Sequence, residues 1–276
     1  MFGYSVTRPV IHSNYFTGVL DACNAMHIPL ECYHTETGPG VYEAAIQYSD
    51  PVTLADNAHL FKVVAKSIGL QHGIMPTFMA KPHNNLPGCS GHIHVSLSAT
   101  DIITTAANLF HPSFTPQTWG RDDRSEPSDS IQIDHTSHVL KWFLAGVLEG
   151  LPSCMAIYAP TINSYKRLVE NYWAPITVSY GVENRTAAIR VITPPTCPPN
   201  ATRIEVRVPG ADANPYLAVA AVLACGRLPR SLGDAIEEMR ATGSVARRVL
   251  GDAFVDIIIW ERAVTTWEVQ RYFEVI

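Results

Sequence analysis

RIEVRVPGADANPYLAVAAVLACG, residues 203–226, changes its hydrophobic period in mid-course, and the change sets the fold class. Over RIEVRVP the period is two, so Arg203, Glu205 and Arg207 share one face of a strand while Ile204, Val206 and Val208 share the other. Asn214 then offers an N-cap and Pro215 a first-turn proline, which predicts a buried helix over PYLAVAAVLACG ending at Gly226.

The same two periods recur upstream. VTLADNAHLFKVVAKSIG (52–69) aligns Leu60, Phe61, Val64 and Ile68 on one helical face and stops at Gly69. SNYFTGVLDACNAMHI (13–28) aligns Phe16, Val19, Leu20 and Cys23, and SHVLKWFLAGVLEGL (137–151) aligns Val139, Leu140, Phe143, Leu144, Val147 and Leu148. Further helical patterns lie near 231–241 and 260–275. Between them ECYHTE (31–36), VYEAAIQY (41–48), HGIMPTFMA (72–80), GHIHVSLS (91–98), ITVSYG (176–181) and AAIRVIT (187–193) read as strands bounded by Pro and Gly. Strands punctuated by helices without a βαβ rhythm predict an α+β fold on a largely antiparallel sheet, and the Pro-, Ser-, Thr- and Asp-rich piece from 110 to 136 reads as a surface loop.

Composition narrows the function. Of the 276 residues 47% are apolar and only 16% charged, which excludes a disordered chain. The net charge is −5 with no basic block, so the footprint of a nucleic-acid binder is missing. The longest apolar run, Leu217 to Cys225, falls far short of the roughly 20 residues of a membrane helix, and the N-terminus does not read as a secretory signal. The six cysteines show no CxxC pair and read as reduced, mostly buried thiols. The expectation is a soluble cytoplasmic protein with neither nucleic acid nor membrane as a partner.

Four groups of residues can carry chemistry. The charged face of RIEVRVP is either a solvated outer face with a cross-strand ion pair or part of a site. His92 and His94 share a strand face entered through a glycine-rich turn, as hydrogen-bonded sheet histidines or as ligands. Glu36 and Glu43 flank Thr-Gly-Pro-Gly, a turn able to bring both carboxylates to one centre. Three glutamates and a histidine make an oxygen-rich set suited to Mg²⁺ or Mn²⁺ rather than zinc. Lys166, Arg167, Arg185 and Arg190 concentrate positive charge in a chain poor in it, and beside a hard metal such a cluster points to phosphoryl transfer. Neither GxxxxGK[ST] nor GxGxxG occurs, so a nucleotide would rest on another scaffold.

The order ETGPGVYE (36–43), FMAKP (78–82), GCSGHIHVSL (88–97), INSYKRL (162–168) with NRTAAIR (184–190), and RIEVRVPGADANPYLAVAAVL (203–223) resembles the catalytic domain of the glutamine synthetase family from about residue 30 onward. The resemblance implies one catalytic domain over 1–276, with a curved, largely antiparallel sheet forming an incomplete barrel packed with helices. It implies that Glu36 and Glu43 hold one Mg²⁺ or Mn²⁺ and that His92 and Glu205 hold a second. His94, Ser96, Arg185, Arg190 and Arg203 would meet the nucleotide phosphates, and Asn84 to Gly91, including Gly88 and Gly91, would line the substrate pocket. Arg167 would grip the glutamate carboxylate, and Arg207 would lie near its γ-carboxylate end, with Arg185 acting beside them in catalysis. The implied reaction has two steps: ATP phosphorylates the γ-carboxylate of glutamate, and an amine then displaces phosphate from γ-glutamyl phosphate.

Departures from the family sharpen the expectations. Members carry a β-grasp domain, which completes the neighbouring subunit's site, and then a strand with a Glu-x-Glu pair; this chain aligns from just downstream of that strand. Each ion would then lack one ligand, and a homo-oligomer is expected only of a complete protein. CGRLPRSL (225–232) and the segment before VTTWEVQRYFEVI (264–276) are shorter than their counterparts. Where ammonium-using members read PGYEAP, with a glutamate that helps bind and deprotonate ammonium, this chain has Val169, Glu170, Asn171, Tyr172 and Trp173. Trp173 either packs or marks an acceptor bulkier than ammonia, as in γ-glutamyl-amine ligases. The alternatives to a ligase are an inactive structural or regulatory descendant and a truncated form of an active enzyme.

Overall fold

Two hydrophobic cores organise the described residues, one built on strands that alternate and one on a pair of amphipathic helices. The computed structural model describes residues 3–98, 108–111, 133, 136–193, 198–224 and 240–256. In chain order its main elements are α1 (Ser13–Ala25), β1 (Leu30–Thr35), β2 (Tyr42–Ile46), α2 (Pro51–Gln71), β3 (Ile93–Val95), α3 (His138–Gly150), α4 (Met155–Tyr158), α5 (Ile162–Arg167), β4 (Tyr180–Val182), β5 (Ile189–Ile192), β6 (Arg203–Val206), α6 (Pro215–Ala224) and α7 (Val245–Leu250).

In the larger core the apolar face of β6 and its extension, Ile204, Val206 and Val208, meets Ile189 and Val191 of β5. Leu140, Leu144 and Val147 of α3 and Ala218, Ala221 and Val222 of α6 are buried in the same cluster. β6 lies between β3 and β5, antiparallel to both, and β4 pairs parallel to β5, so the order is β3-β6-β5-β4. In the smaller core Tyr15, Val19 and Cys23 of α1 pack with Ile28 and with Phe61 and Val64 of α2, and the rings of Phe16, Tyr33 and Tyr42 stand over the β1–β2 hairpin. The two cores meet where α2 packs on α6. There the Lys62 ammonium donates to the carbonyls of Ala211 (2.7 Å) and Ala213 (3.0 Å).

Local chemistry starts the helices. The Asp50 carboxylate accepts from the Val52 and Thr53 amides with Pro51 next in line, Ser137 Oγ accepts from the Leu140 amide, and Thr161 and Ser164 form a reciprocal capping box. The α+β expectation holds. Three of the four strand pairings are antiparallel, but among the described residues the strands form two separate sheets, with β1 and β2 as a hairpin of their own, and no closed barrel.

The structure corrects several readings. HGIMPTFMA is not a strand: the Ile74 amide returns to the Gly69 carbonyl at 2.8 Å, and the Pro76 ring lies where a side chain on residue 69 would sit, 2.5 Å from its Cβ. This close approach explains Gly69, and Pro76 has no amide to give a ladder. α2 continues beyond Gly69 to Gln71, α1 ends at Ala25, and α4 and α5 have too few turns to show a period. Cys23 and Cys154 are buried, Cys89 is half-buried and Cys32 is exposed; Cys197 and Cys225 lie outside the described residues. So do the helices predicted near 231–241 and 260–275, apart from residues 240–241, and most of the 110–136 loop. No single helix among the described residues is long and apolar enough to cross a membrane.

Candidate active site

Glu205 sits at the middle of β6, and the register decides its company: His94 of β3 lies opposite it on one side and Arg190 of β5 on the other. Residues opposite one another in antiparallel strands share a face, so the charged face of β6 continues across three strands. Its centre is buried, while His94 at the β3 edge is exposed. Glu205 is 3% exposed and Arg207 6%. Glu205 Oε1 receives His92 Nδ1 at 3.1 Å and the Arg207 guanidinium, and Oε2 receives Arg190 Nη1 at 3.3 Å. Arg190 Nε and Nη2 also donate to Glu183, Nε at 3.1 Å, and Arg203 Nε donates to His94 Nδ1 at 2.9 Å. Burial alone would raise the Glu205 carboxyl, but the hydrogen bond from His92 and the charges around it, Arg207 among them, hold it well below the usual carboxylate range. Burial pushes His92 down to about 4, against the pull of Glu205, so the ring is neutral with its proton on Nδ1 and a lone pair on Nε2.

The acidic hairpin supplies a second cluster. The Glu36 amide donates to the Val41 carbonyl at 2.8 Å, Gly40 takes φ +72°, and the register sets His34 opposite Glu43. Ligand atoms of His34, Glu36 and Glu43 lie within 4.8 Å of one another. The Tyr4 ring stacks on His34 at 4.8 Å between centroids. Glu43 is raised by burial and by the charge of Glu36, and Glu205 adds to the effect from the other sheet. One imidazole and two mutually repelling carboxylates fit a hard divalent cation. The His92–Glu205 pair fits one less directly, because both oxygens of Glu205 already meet positive partners.

Arg167 lies beneath this face at the end of α5. Its helix is tied down by Asp212, whose Oδ2 accepts from the hydroxyls of Thr161 (3.0 Å) and Ser164 (2.6 Å). Arg167 is 4% exposed and donates through Nη1 to the Val208 carbonyl (2.8 Å) and through Nη2 to that of Arg207 (2.9 Å). Burial, then the charge of Arg207, lowers its guanidinium to about 10. As it stands Arg167 braces the backbone that carries Arg207. Gly88 and Gly91 have packing reasons: a Cβ on residue 88 would lie 2.3 Å from the Ala80 carbonyl oxygen, and one on 91 would lie 2.9 Å from that of Gly210. Ser96 and Arg185 are exposed, and the charge of Arg185 reaches Arg207.

Over the pocket loop lies the segment from Val169 to Trp173. The Tyr172 hydroxyl donates to the Asn85 carbonyl at 3.0 Å, and the Lys81 ammonium stands 4.0 Å from the Tyr172 ring centroid. Asn171 and Trp173 have φ of +69° and +55°. Trp173 does not pack into a core: it is 47% exposed and lines a cleft of about 750 Å³. Sequence reasoning missed four residues of this region, His34, Lys81, Glu183 and Asp212. His34 carries a usable signal, since it alternates with Glu36, and Lys81 stands inside the FMAKP motif; for Glu183 and Asp212 only the fold shows their partners.

Residues 2–228 match the family described as glutamine synthetase, catalytic domain. The chain is 40% identical to type-1 glutamine synthetase 2 of Dictyostelium discoideum, over 100% of this chain and 55% of the relative. It is 34% identical to glutamate–isopropylamine ligase of a Pseudomonas species, over 90% and 57%. The chain thus spans little more than half the length of these relatives. A solved structure of GmaS in complex with ADP superposes with a TM-score of 0.74 at 24% identity, over 98% of this chain and 63% of that one, a likeness of fold.

Proposed function

The chain belongs to the glutamine synthetase family, and on that premise we propose that residues 1–276 form a catalytic domain of an ATP-dependent glutamate–amine ligase working through γ-glutamyl phosphate. The observation that carries this reading is the buried Glu205, ringed by His92, Arg190 and Arg207, with the His34, Glu36 and Glu43 cluster close enough for Glu43 to feel the charge of Glu205. Phosphoryl transfer to a carboxylate gathers negative charge that must be neutralised in place. Arg207 and Arg190, oriented by Glu205 and Glu183, and the exposed Arg185 beside them, are the cations this chain offers. Arg203 orients His94 along the edge where a nucleotide would lie, with Ser96 further along the strand.

His34, Glu36 and Glu43 would hold one Mg²⁺ or Mn²⁺, and His92 through Nε2, with Glu205, a second. Such ions, when bound, neutralise phosphate oxygens. Arg167 supports Arg207 and reaches a substrate carboxylate on exchanging its carbonyl partners, while the loop from Asn84 to Gly91 forms the pocket wall. We further take glutamate, ATP and ammonia or a larger amine as the partners, a cytoplasmic location and, for a complete protein, a homo-oligomer as the working form, as the family resemblance implies.

The test is ADP formation from ATP with glutamate and a panel of amines from ammonium to diamines, run beside Glu205→Ala. The expected result is turnover that needs glutamate, Mg²⁺ or Mn²⁺, and Glu205. No turnover above the variant, from protein shown to be folded, overturns the ligase reading for this chain and favours an inactive descendant, in which the saturated Glu205 cluster is structural.

A further inference from the structure

We propose that Lys81 is a positioning residue: its ammonium clasps the Tyr172 ring and so holds the segment from Val169 to Trp173 down on the pocket loop. The clasp is read from the contacts themselves, whereas its part in turnover rests on the ligase reading. Lys81 is a fixed base for it. Its amide donates to Asn163 Oδ1 at 2.8 Å and its carbonyl accepts from Asn163 Nδ2 at 2.9 Å, so both main-chain groups are tied to α5. The carbonyl of the preceding Ala80 accepts from the Cys89 amide at 2.8 Å, which ties the same stretch to the pocket loop. The segment to be held leaves α5 at its other end, where the Val169 amide returns to the Arg167 carbonyl at 2.9 Å. Tyr172 stands between Asn171 and Trp173, whose φ of +69° and +55° is kept by residues other than glycine only where other contacts compensate. Two such contacts are the bond from the Tyr172 hydroxyl to the Asn85 carbonyl (3.0 Å) and the Lys81 ammonium 4.0 Å from its ring centroid.

Packing alone does not explain the charge of Lys81. The residue is 2% exposed, and among the described residues its Nζ has no hydrogen-bond partner. Burial, then the charge of Arg167, lowers the ammonium from its usual value, so these surroundings disfavour the charged form. A methionine would fill much the same space without that cost. The π-face of Tyr172 is the favourable partner that the described residues offer it. Opposed effects therefore set the strength of the hold: closure gains the ring, and release returns the ammonium to water. Such a hold both shuts and opens, as a segment over a substrate pocket must. On the ligase reading the shut segment keeps water from γ-glutamyl phosphate. Where water replaces the amine, its oxygen bonds to the γ-carbon, the bond from that carbon to the phosphate oxygen breaks, and the protons of the water pass to phosphate and solvent. Glutamate is regenerated, and the net reaction is hydrolysis of ATP to ADP and phosphate.

The experiment is limited digestion of the whole chain with chymotrypsin, following cleavage after the exposed Trp173 by mass spectrometry in wild type, Lys81→Met, Lys81→Arg, Tyr172→Leu and the Lys81→Met/Tyr172→Leu double variant, with the fold checked by circular dichroism. Cleavage there reports the released fraction. It should rise about tenfold in Lys81→Met and in Tyr172→Leu, stay within about twofold of wild type in Lys81→Arg, and rise no further in the double variant. Tyr172→Leu changes a half-buried side chain and keeps the test open should Lys81→Met not fold. Unchanged cleavage in either single variant, additive effects in the double, or an equal rise at all sites along the chain overturns the clasp. In turnover, Lys81→Met should raise glutamate-dependent ADP formation without amine relative to amide formation, and Lys81→Arg should restore the ratio; an unchanged ratio overturns the positioning role. Wild-type turnover with cleavage indifferent to Lys81 sinks the clasp and leaves the ligase reading standing, and cleavage that responds in a chain without glutamate-dependent ADP formation does the reverse.

Discussion

Glu205 is the residue on which the charged face turns. Its carboxylate is almost fully buried and compensates Arg207 and Arg190 at once. Removing one partner of a buried charge pair leaves the other uncompensated, so Glu205→Gln should destabilise the fold by about 3 kcal/mol in urea denaturation. Because the loss lies mostly in the stranded guanidinium, Glu205→Gln combined with Arg207→Met should cost clearly less than the two single changes added; strict additivity would contradict the pairing. Gly88 makes a second point at this scale. An alanine there must displace the Ala80 carbonyl or the Arg167 stem, which its Cβ would approach to 2.3 and 3.0 Å, and a loss of about 1–3 kcal/mol is expected in the same assay.

At the scale of the element, α2 and α3 give opposite tests. Asp50 caps α2, and the hydrogen bonds from Thr53, through side chain and amide, and from the Val52 amide lower its carboxyl from the usual value. A pKa depressed in the folded state contributes stability that is present above the unfolded value of about 4 and is lost as the pH falls through the folded one. The melting-temperature gap between wild type and Asp50→Ala should therefore be open at neutral pH and close at acid pH; a gap constant with pH would refute the charged cap. In α3, Gly146 is exposed with nothing within 4 Å of an added Cβ, so Gly146→Ala should raise stability by about 0.5–1 kcal/mol by thermal melting. Most of these elements are legible in the sequence, because caps and apolar periods act within a few residues of one another. HGIMPTFMA misleads because its β-like composition says nothing of Pro76 folding back on Gly69.

At the scale of the whole molecule, the acidic hairpin of the smaller core and the ion-paired sheet of the larger one are joined by charge. Glu43 is raised by burial and Glu36, with Glu205 adding to it, so the chain without metal carries repulsion between its two sheets. Mg²⁺ or Mn²⁺ should raise the melting temperature, by the equivalent of about 2.7 kcal/mol at a hundredfold excess over its dissociation constant. Glu43→Gln should abolish that metal response and at the same time raise the melting temperature of the metal-free chain. A metal response that survives Glu43→Gln would remove the hairpin from the site.

The chain alone determines its periods, its caps and the turn that brings Glu36 to Glu43, since each depends on neighbours in sequence. It also carries the ordered motifs of its family. It leaves open whether Arg203, Glu205 and Arg207 face water, because a period of two names the members of a face and not what covers it. The answer came from strand register, which set Arg190 and His94 beside Glu205, and from the packing of Arg167 under Arg207. The contact of Lys81 with Tyr172 emerged the same way, from segments far apart in the chain that only the tertiary fold brings together, whereas His34 and the cleft at Trp173 are made by residues near one another in sequence whose side chains only the folded backbone places.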